Sequence, residues 1–334
     1  VNDVTSVVEA AYALIDDDQA WLTQLAETAY KQLDQGAGLI ACVYDATAPD
    51  TVEIKAVVAP GVDLSFASSY FQPGDLPESE ARSLVRVFRR HQVGTVCTTI
   101  TGLGSSLKQY YASLLEGAGL RDVLFVNATD PSRMSCAFGV PGLRQRWSPR
   151  TAQRWRRVAA HLASAMRIRR QLCRVERLGA PTEAPSVEAI LSPSGTIEHA
   201  LDHAKGGTAR AALRRAAVAF DRARGPLRRE NQDEALAIWH ALIEGRWSLL
   251  DHFDSDGRRF IVAHRNDPNL PDVRGLTRRE CQVLAYAMLG RANKDIAYEL
   301  GIATATVGVH LARARRKLGD KAWSALGPAL ALAP

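Results

Sequence analysis

The chain has 334 residues, of which 46% are hydrophobic and 23% charged, with a formal net charge of +6. That composition excludes a disordered chain and predicts two or three domains. Its five cysteines (Cys42, Cys97, Cys136, Cys173, Cys281) are scattered and form no C-x-x-C pair, which argues against a disulfide framework or structural zinc. No apolar run approaches the ~18 residues of a membrane span and no charged-then-apolar leader opens the sequence, so a soluble, cytoplasmic protein with no membrane partner is expected.

Charge is unevenly spread. Residues 1–80 hold fourteen Asp and Glu against two Lys, a net of −12, which leaves +18 for the remainder. Phosphate would repel the acidic start and be tolerated by the rest.

In chain order, Val7, Val8, Ala11, Leu14, Ile15, Leu22, Leu25, Ala29 and Leu33 give the opening segment helical periodicity up to Gly36. Leu39–Tyr44 and Glu53–Val58 are β-rich, joined by a polar hairpin-like connection from Asp45 to Asp50. Helical segments follow near Glu78–His91 and Leu107–Gly117. A second strand pair, Val123–Ala128 and Met134–Val140, is joined through Asp130-Pro131-Ser132. A long helix from Pro149 to Val175 closes the unit. This order resembles that of GAF-type sensor domains, which implies an antiparallel sheet covered by helices over residues 1–176. Such a domain can enclose a small-molecule pocket, and Tyr44, Tyr70, Phe71, Tyr110, Tyr111 and Phe125 are the rings that would line it or else fill the core.

The closing helix carries Arg150, Arg154, Arg156, Arg157, Arg167, Arg169, Arg170 and Arg174 around an apolar set that includes Trp155, Leu162 and Ile168. Two readings stand side by side: a dimer seam flanked by arginines, or a helix paired with the acidic opening segment.

A Gly/Ala/Pro linker around residues 177–186 precedes a second module over 186–266. It reads as a hairpin from Ala189 to His199 turning at Ser192-Pro193-Ser194-Gly195, helices near Gly207–Ala223 and Asn231–Glu244, and strands Trp247–Phe253 and Arg259–His264 turning at Asp254-Ser255-Asp256-Gly257. Through Gly245-Arg246-Trp247-Ser248 and Asp256-Gly257-Arg258-Arg259 it resembles the PAS-like part ahead of the DNA-binding domain in some multidomain bacterial regulators. Residues Asn266–Arg274, with Pro268 and Pro271, read as a tether.

The last segment is the most informative. Thr277 and Glu280 have capping-box spacing, with Val283, Leu284 and Ala287 as an apolar stripe and Gly290 as a stop. Asn293 is placed to cap a second helix with Asp295 at its positive end, Ile296, Ala297 and Leu300 inward, and Gly301 as terminator. After a short turn, a third helix runs from about Thr304 to Leu318. Its Val307, Leu311, Ala314 and Leu318 share one face, and Ala305, Gly308, Val309, Ala312 and Arg316 share the opposite one. That is helix-turn-helix geometry, with the second face free to enter a major groove. A fourth apolar helix spans Lys321–Leu332, with Ala322, Trp323, Leu326 and Leu330.

These residues (Leu276-Thr277-Arg278-Arg279-Glu280, Asn293-Lys294-Asp295-Ile296-Ala297, Thr306-Val307, His310, Lys317-Leu318) resemble the DNA-binding domain of LuxR-type regulators. The resemblance implies an all-α four-helix domain over 272–334, duplex DNA as partner, and a homodimer paired through the fourth helix. It places Lys294, Thr304, Thr306 and Lys317 on phosphates, with Arg313 and Arg315 flanking, and Ala305, Gly308, Val309, Ala312 and Arg316 toward the groove. Two positions depart from the pattern: Gly308 stands where the family often has Lys, and Ala303 where it often has a Ser cap. The groove face is therefore small and apolar, suited to thymine methyls and DNA shape rather than bidentate guanine reading. His310 falls between core and groove, open to either role.

No catalytic or cofactor constellation emerges, so no enzyme and no cofactor are expected. His199 and His203 are at i, i+4 but lack a third ligand. Asp254 and Asp256 are explained by turn chemistry, and Gly102-Leu103-Gly104 has no preceding strand. Asp16-Asp17-Asp18 follows a helix, not the strand a phospho-receiver would need. The expected fold class is α+β multidomain, with GAF/PAS-like antiparallel sheets and helices followed by the helix-turn-helix domain. The expected function is DNA-binding transcriptional regulation under control of the upstream modules; the alternative is a protein-interaction regulator that no longer reads DNA sequence.

Overall fold

The computed structural model describes residues 3–46, 52–71, 77–131, 134–142, 146–178, 187–268, 270, 273 and 275–330. The chain divides into two units, Val1–Ala163 and Ser164–Pro334.

In the first unit the periodicity of the opening segment resolves into two helices, α1 (Val4–Ala11) and α2 (Asp18–Leu33). The acidic triplet is the reason. Asp17 turns the chain out of helix and its carboxylate accepts the Ala20 N–H at 2.6 Å, starting α2 where α1 has already ended. There follow β1 (Ile40–Asp45), β2 (Glu53–Val58), α3 (Leu64–Phe71), α4 (Glu78–Arg90), β3 (Val93–Thr95), α5 (Val96–Thr99), α6 (Ser105–Gly117), β4 (Asp122–Thr129), β5 (Met134–Gly142) and the first half of α7 (Pro149–Leu178). The strands form one antiparallel sheet in the order β2-β1-β5-β4-β3. Most of the connections expected at Asp45–Asp50 and Asp130-Pro131-Ser132 lie outside the described residues, but both strand pairs they were to join are present. Helix α3, strand β3 and the four-residue α5 have no signal in the sequence pattern. Helix α3 is eight residues without a charge, started by Asp63 accepting the Ser65 and Phe66 N–H groups at 2.9 and 3.2 Å. Strand β3 is three residues long and owes its conformation to pairing with β4.

One sheet face, through Ile40, Val123 and Phe125, packs on Phe66 and Tyr70 of α3, Val96 of α5 and Leu107, Tyr111 and Leu115 of α6. Further along it becomes polar: the Tyr44 hydroxyl donates to Asn127 Oδ1 at 2.7 Å and lies 3.3 Å from Thr129 Oγ1, to which Ser135 donates at 3.1 Å. These buried groups satisfy one another, as burial requires.

The second unit takes α7 from Ser164 onward, so the helix expected to close the first domain by residue 176 continues into the second. Next come β6 (Val187–Leu191), β7 (Ile197–Ala200), α8 (Gly207–Arg224), α9 (Leu227–Glu230), α10 (Gln232–Ile238), β8 (Trp247–Phe253) and β9 (Arg259–Arg265), with an antiparallel sheet ordered β7-β6-β9-β8. Both predicted hairpin turns form. Asp254 accepts the Asp256 and Arg258 N–H groups at 3.0 and 2.7 Å, and Gly195 takes φ +85° in the other turn. Asn231 starts α10 by accepting the Glu234 N–H, but the helix stops at Ile238 instead of Glu244 because Trp239 is extended. The all-α region follows: α11 (Arg278–Met288), α12 (Asn293–Leu300) and α13 (Thr304–Leu330), the last broken at Gly319 with φ +76° and ψ 160°.

The start of the expected tether is built into the second unit. Asn266 is fully buried, its amide donating to Ser248 Oγ at 2.7 Å and to the Ser164 carbonyl at 2.9 Å while its oxygen accepts Arg167 Nε at 2.9 Å. Residues 269, 271, 272 and 274 lie outside the described ones.

Candidate nucleic-acid interface

The interface is assembled by three local decisions in the sequence. Thr277 accepts the Glu280 N–H and Glu280 accepts the Thr277 N–H at 2.7 Å, a complete capping box that fixes the start of α11. Gly290 at φ +73° ends that helix. Gly301, left-handed at φ +61° and ψ +41°, ends α12 so abruptly that α13 begins three residues later. The expected Asn293 cap is not formed. Ala292 occupies the cap position and, among the described residues, no side chain caps α12, because the extended residue falls one position before Asn293.

Helix α13 has two unlike faces. Val307 and Ala314 are fully buried and Leu311 and Leu318 partly so, packed with Val283, Tyr286, Ala287, Ile296 and Leu300 or with Leu284 and Cys281. On the opposite face Ala305, Ala312 and Arg316 are exposed, Gly308 is half-buried, and Val309 is 47% exposed. Thr304 and Arg313 are exposed beside them and Thr306 is half-buried. A Cβ added at Gly308 would meet nothing within 4 Å.

The cations sort into two groups. Lys294, Arg313 and Arg316 are exposed, and among the described residues no carboxylate engages them. Lys317 and Arg315 are already paired: Lys317 Nζ lies 2.7 Å from Glu280 Oε2, and Arg315 reaches Asp320 at 3.2 Å. Burial pushes the Glu280 carboxyl up, but the Lys317 ammonium and the Thr277 donors outweigh it and hold the group below its ordinary value. Lys317, expected at phosphate, thus neutralises a buried carboxylate in this structure. His310 is half-buried, with no partner for Nδ1 among the described residues, and its burial and then the nearby Arg279 hold its pKa below the ordinary value.

Comparison with known proteins decides the class of these helices. The family model for bacterial regulatory proteins of the luxR family matches residues 274–323. Residues 274–323 are a luxR-family helix-turn-helix domain. The luxR-family domain is also similar to part of the HTH-type transcriptional regulator MalT of Vibrio campbellii and of Vibrio parahaemolyticus, each 40% identical over 67 residues, and of Vibrio cholerae at 39%. Those matches cover 20% of this chain and 7% of each relative. A crystal structure of Escherichia coli SdiA aligns over 99% of this chain and 97% of its own with 11% identity and a TM-score of 0.31, a likeness too distant to assign the upstream modules. DNA binding and transcription regulation are therefore properties of the class to which the luxR-family domain belongs.

Elsewhere the structure disperses the other candidates. Tyr44, Tyr70, Tyr111 and Phe125 are buried in the first unit's interior, with Tyr70 and Tyr111 edge-to-face at 6.1 Å. Tyr110 instead borders an open groove of about 550 Å³ with Ser69, Ser106, Gln109, Ser113 and Leu114; the side chain of Phe71 lies outside the described ones. Among the described residues no His, Cys, Asp and Glu gather as metal ligands, and His199 and His203 are at the surface. On α7, Trp155, Val158, Leu162, Met166 and Ile168 are buried by the chain itself, so they are not a free dimer seam. Of the fourth-helix residues, Trp323 and Leu326 pack on Leu276, Cys281, Leu284 and Ala314 of their own domain, and the Leu330 side chain is outside the described ones.

Sequence reasoning did not single out Tyr298 or Leu242. Tyr298 directs its hydroxyl to the Leu236 and Trp239 carbonyls at 2.6 and 2.7 Å, and Leu242, only 1% exposed, sits in the cluster of Val283, Tyr286, Ile296, Leu300 and Val307. The one available signal was the apolar run Ala241-Leu242-Ile243 inside a segment assigned to helix.

Proposed function

We propose that this chain is a cytoplasmic transcriptional regulator that lays the exposed face of α13 in the major groove of duplex DNA. The carrying observation is that the face made of Ala305, Gly308, Val309, Ala312 and Arg316 is uncovered by the chain's own interior, although the opposite face of the same helix is buried. Lys294, Thr304, Thr306 and Arg313 supply phosphate contacts. The α12 amides left without a side-chain cap beside Lys294 suit a phosphate oxygen, since a helix N-terminus carries partial positive charge. Lys317 joins only by exchanging Glu280 for phosphate.

A homodimer on a two-fold site is the working assembly, with its contact on the exposed positions after Gly319, such as Ala322 and Ser324, because Trp323 and Leu326 are already used internally. The first unit acts as a GAF-like and the 186–266 module as a PAS-like input. A small-molecule input to the first unit would be sought at the groove beside Tyr110, whose volume is in the range of metabolite sites.

Selection of duplexes from a random-sequence pool by the full chain tests this reading. Enrichment of a two-fold symmetric motif supports it, and no enrichment over the input pool contradicts it. The apolar groove face with Gly308 at its centre favours one second reading, a regulator that contacts a protein through α13. Under it the chain would bind DNA no better than a chain carrying Arg316→Ala and Lys294→Ala.

A further inference from the structure

The luxR-family domain is closed by residues that lie outside the matched segment. Between α10 and β8 the chain leaves helix at Trp239 and runs to Arg246 against α11, α12 and the turn before α13. Leu242 contributes its side chain to the same cluster as Val307 on the inner face of α13. The backbone makes contact as well: the Gly245 N–H donates to the Leu300 carbonyl at 2.5 Å, and a Cβ on Gly301 would drive into the Leu242 carbonyl oxygen. Leu300 and Gly301 form the turn that sets the angle between α12 and α13.

From the other side, Tyr298 holds the Leu236 and Trp239 carbonyls, and Gln282 donates to the Gly245 carbonyl at 3.0 Å and to Asp267 Oδ1 at 2.8 Å. Arg279 donates to the Glu244 carbonyl. Glu244 takes φ +49° and Gly245 φ +56°, so two successive left-handed residues, one of them not glycine, aim these backbone groups at the helices. A non-glycine residue persists in that region only when its surroundings enforce it.

We infer that Leu242, Gly245 and Tyr298 are positioning residues for DNA reading: the 239–246 segment is a fixed part of the DNA-binding unit and sets the recognition helix from behind, at the Leu300–Gly301 turn. This inference rests on the DNA-binding reading for its consequence, but not for its structural content.

The test uses the full chain with Tyr298→Phe, which removes only the hydroxyl, alongside Leu242→Ala. Two quantities are read: hydrogen exchange of amides along α12 and α13, and anisotropy titration on a mixed-sequence duplex at several salt concentrations. With Tyr298→Phe, exchange across Asn293–Leu311 should quicken roughly two- to tenfold, the range expected for loss of one net hydrogen bond, while β4 and β5 stay unchanged. DNA affinity should fall with an unaltered salt slope, because no phosphate contact is removed. Exchange that quickens only within 236–246, or α12 and α13 unchanged in both variants, overturns the inference. Quickened exchange without any DNA binding by the parent chain would sink the DNA-binding reading and the positioning role, leaving only a structural clamp. Quickened exchange with unchanged DNA affinity would overturn the positioning role alone.

Discussion

The inner and outer faces of α13 are about the same length and differ in every other respect. The inner face is apolar and closed by residues of four segments, including Leu242 from 34 positions before Leu276. The outer face is small and solvent-facing; it carries Arg316 and is flanked by Arg313, neither with a carboxylate partner among the described residues. Burial fixes where the helix is, and exposure leaves its charge available to phosphate. The contrast teaches that substitutions on the two faces should separate cleanly into stability effects and affinity effects.

The largest expected effect tests the inner face. Leu242→Ala should cost about 2–5 kcal/mol, the range for truncating a fully buried Leu, and thermal unfolding should show α11–α13 melting earlier together with β8 and β9. A loss confined to the upstream sheet would break the comparison. Next, Gly301→Ala should cost on the order of 2 kcal/mol in denaturant unfolding, since φ is +61° and the added Cβ meets backbone rather than a flexible side chain.

The Glu280–Lys317 pair gives a pH signature. The folded-state pKa of Glu280 lies below its ordinary 4.5, so its contribution to stability is complete above that value and is lost as pH falls through the lowered one. Unfolding midpoints measured from pH 6 downward should therefore drop less steeply in Glu280→Gln than in the parent. Equal acid slopes would contradict the ion-pair assignment.

On the outer face, Arg316→Ala and Lys294→Ala should each weaken DNA binding by about 1 kcal/mol and leave the unfolding midpoint alone; surface substitutions away from packing change stability little. The smallest effect belongs to Gly308→Ala, which should stabilise by at most about 1 kcal/mol because helix propensity rises and the space beside it is open.

Much of this was legible in the sequence, for a physical reason. The capping box of Thr277 and Glu280, the terminators Gly290 and Gly301, and the turns at Ser192–Gly195 and Asp254–Gly257 are local: each is decided by residues within about four positions of one another. The strand pairs were legible for the same reason, because β1 and β2, β4 and β5, and β8 and β9 are neighbours in sequence. What escaped is non-local or too short to have a period. Strand β3 exists because β4 accepts it, and α3 has eight residues with no charged face. The end of α10 at Ile238 follows from Leu242 being drawn into the helix-turn-helix core, a pairing that no spacing reveals. In the candidate interface the exposed face of α13 was readable from helical phase, whereas the pairing of Lys317 with Glu280 depended on a buried carboxylate from another helix.

The central claim, that the outer face of α13 enters a duplex groove between flanking phosphate contacts, is tested most directly by the salt dependence of binding in the parent chain and in a Lys294→Ala/Arg313→Ala double variant. The slope of log affinity against log salt concentration should be steeply negative in the parent and shallower by about 1.8 in the variant, roughly 0.9 for each phosphate contact removed. Identical slopes in the two proteins, or binding indifferent to salt, would contradict the account.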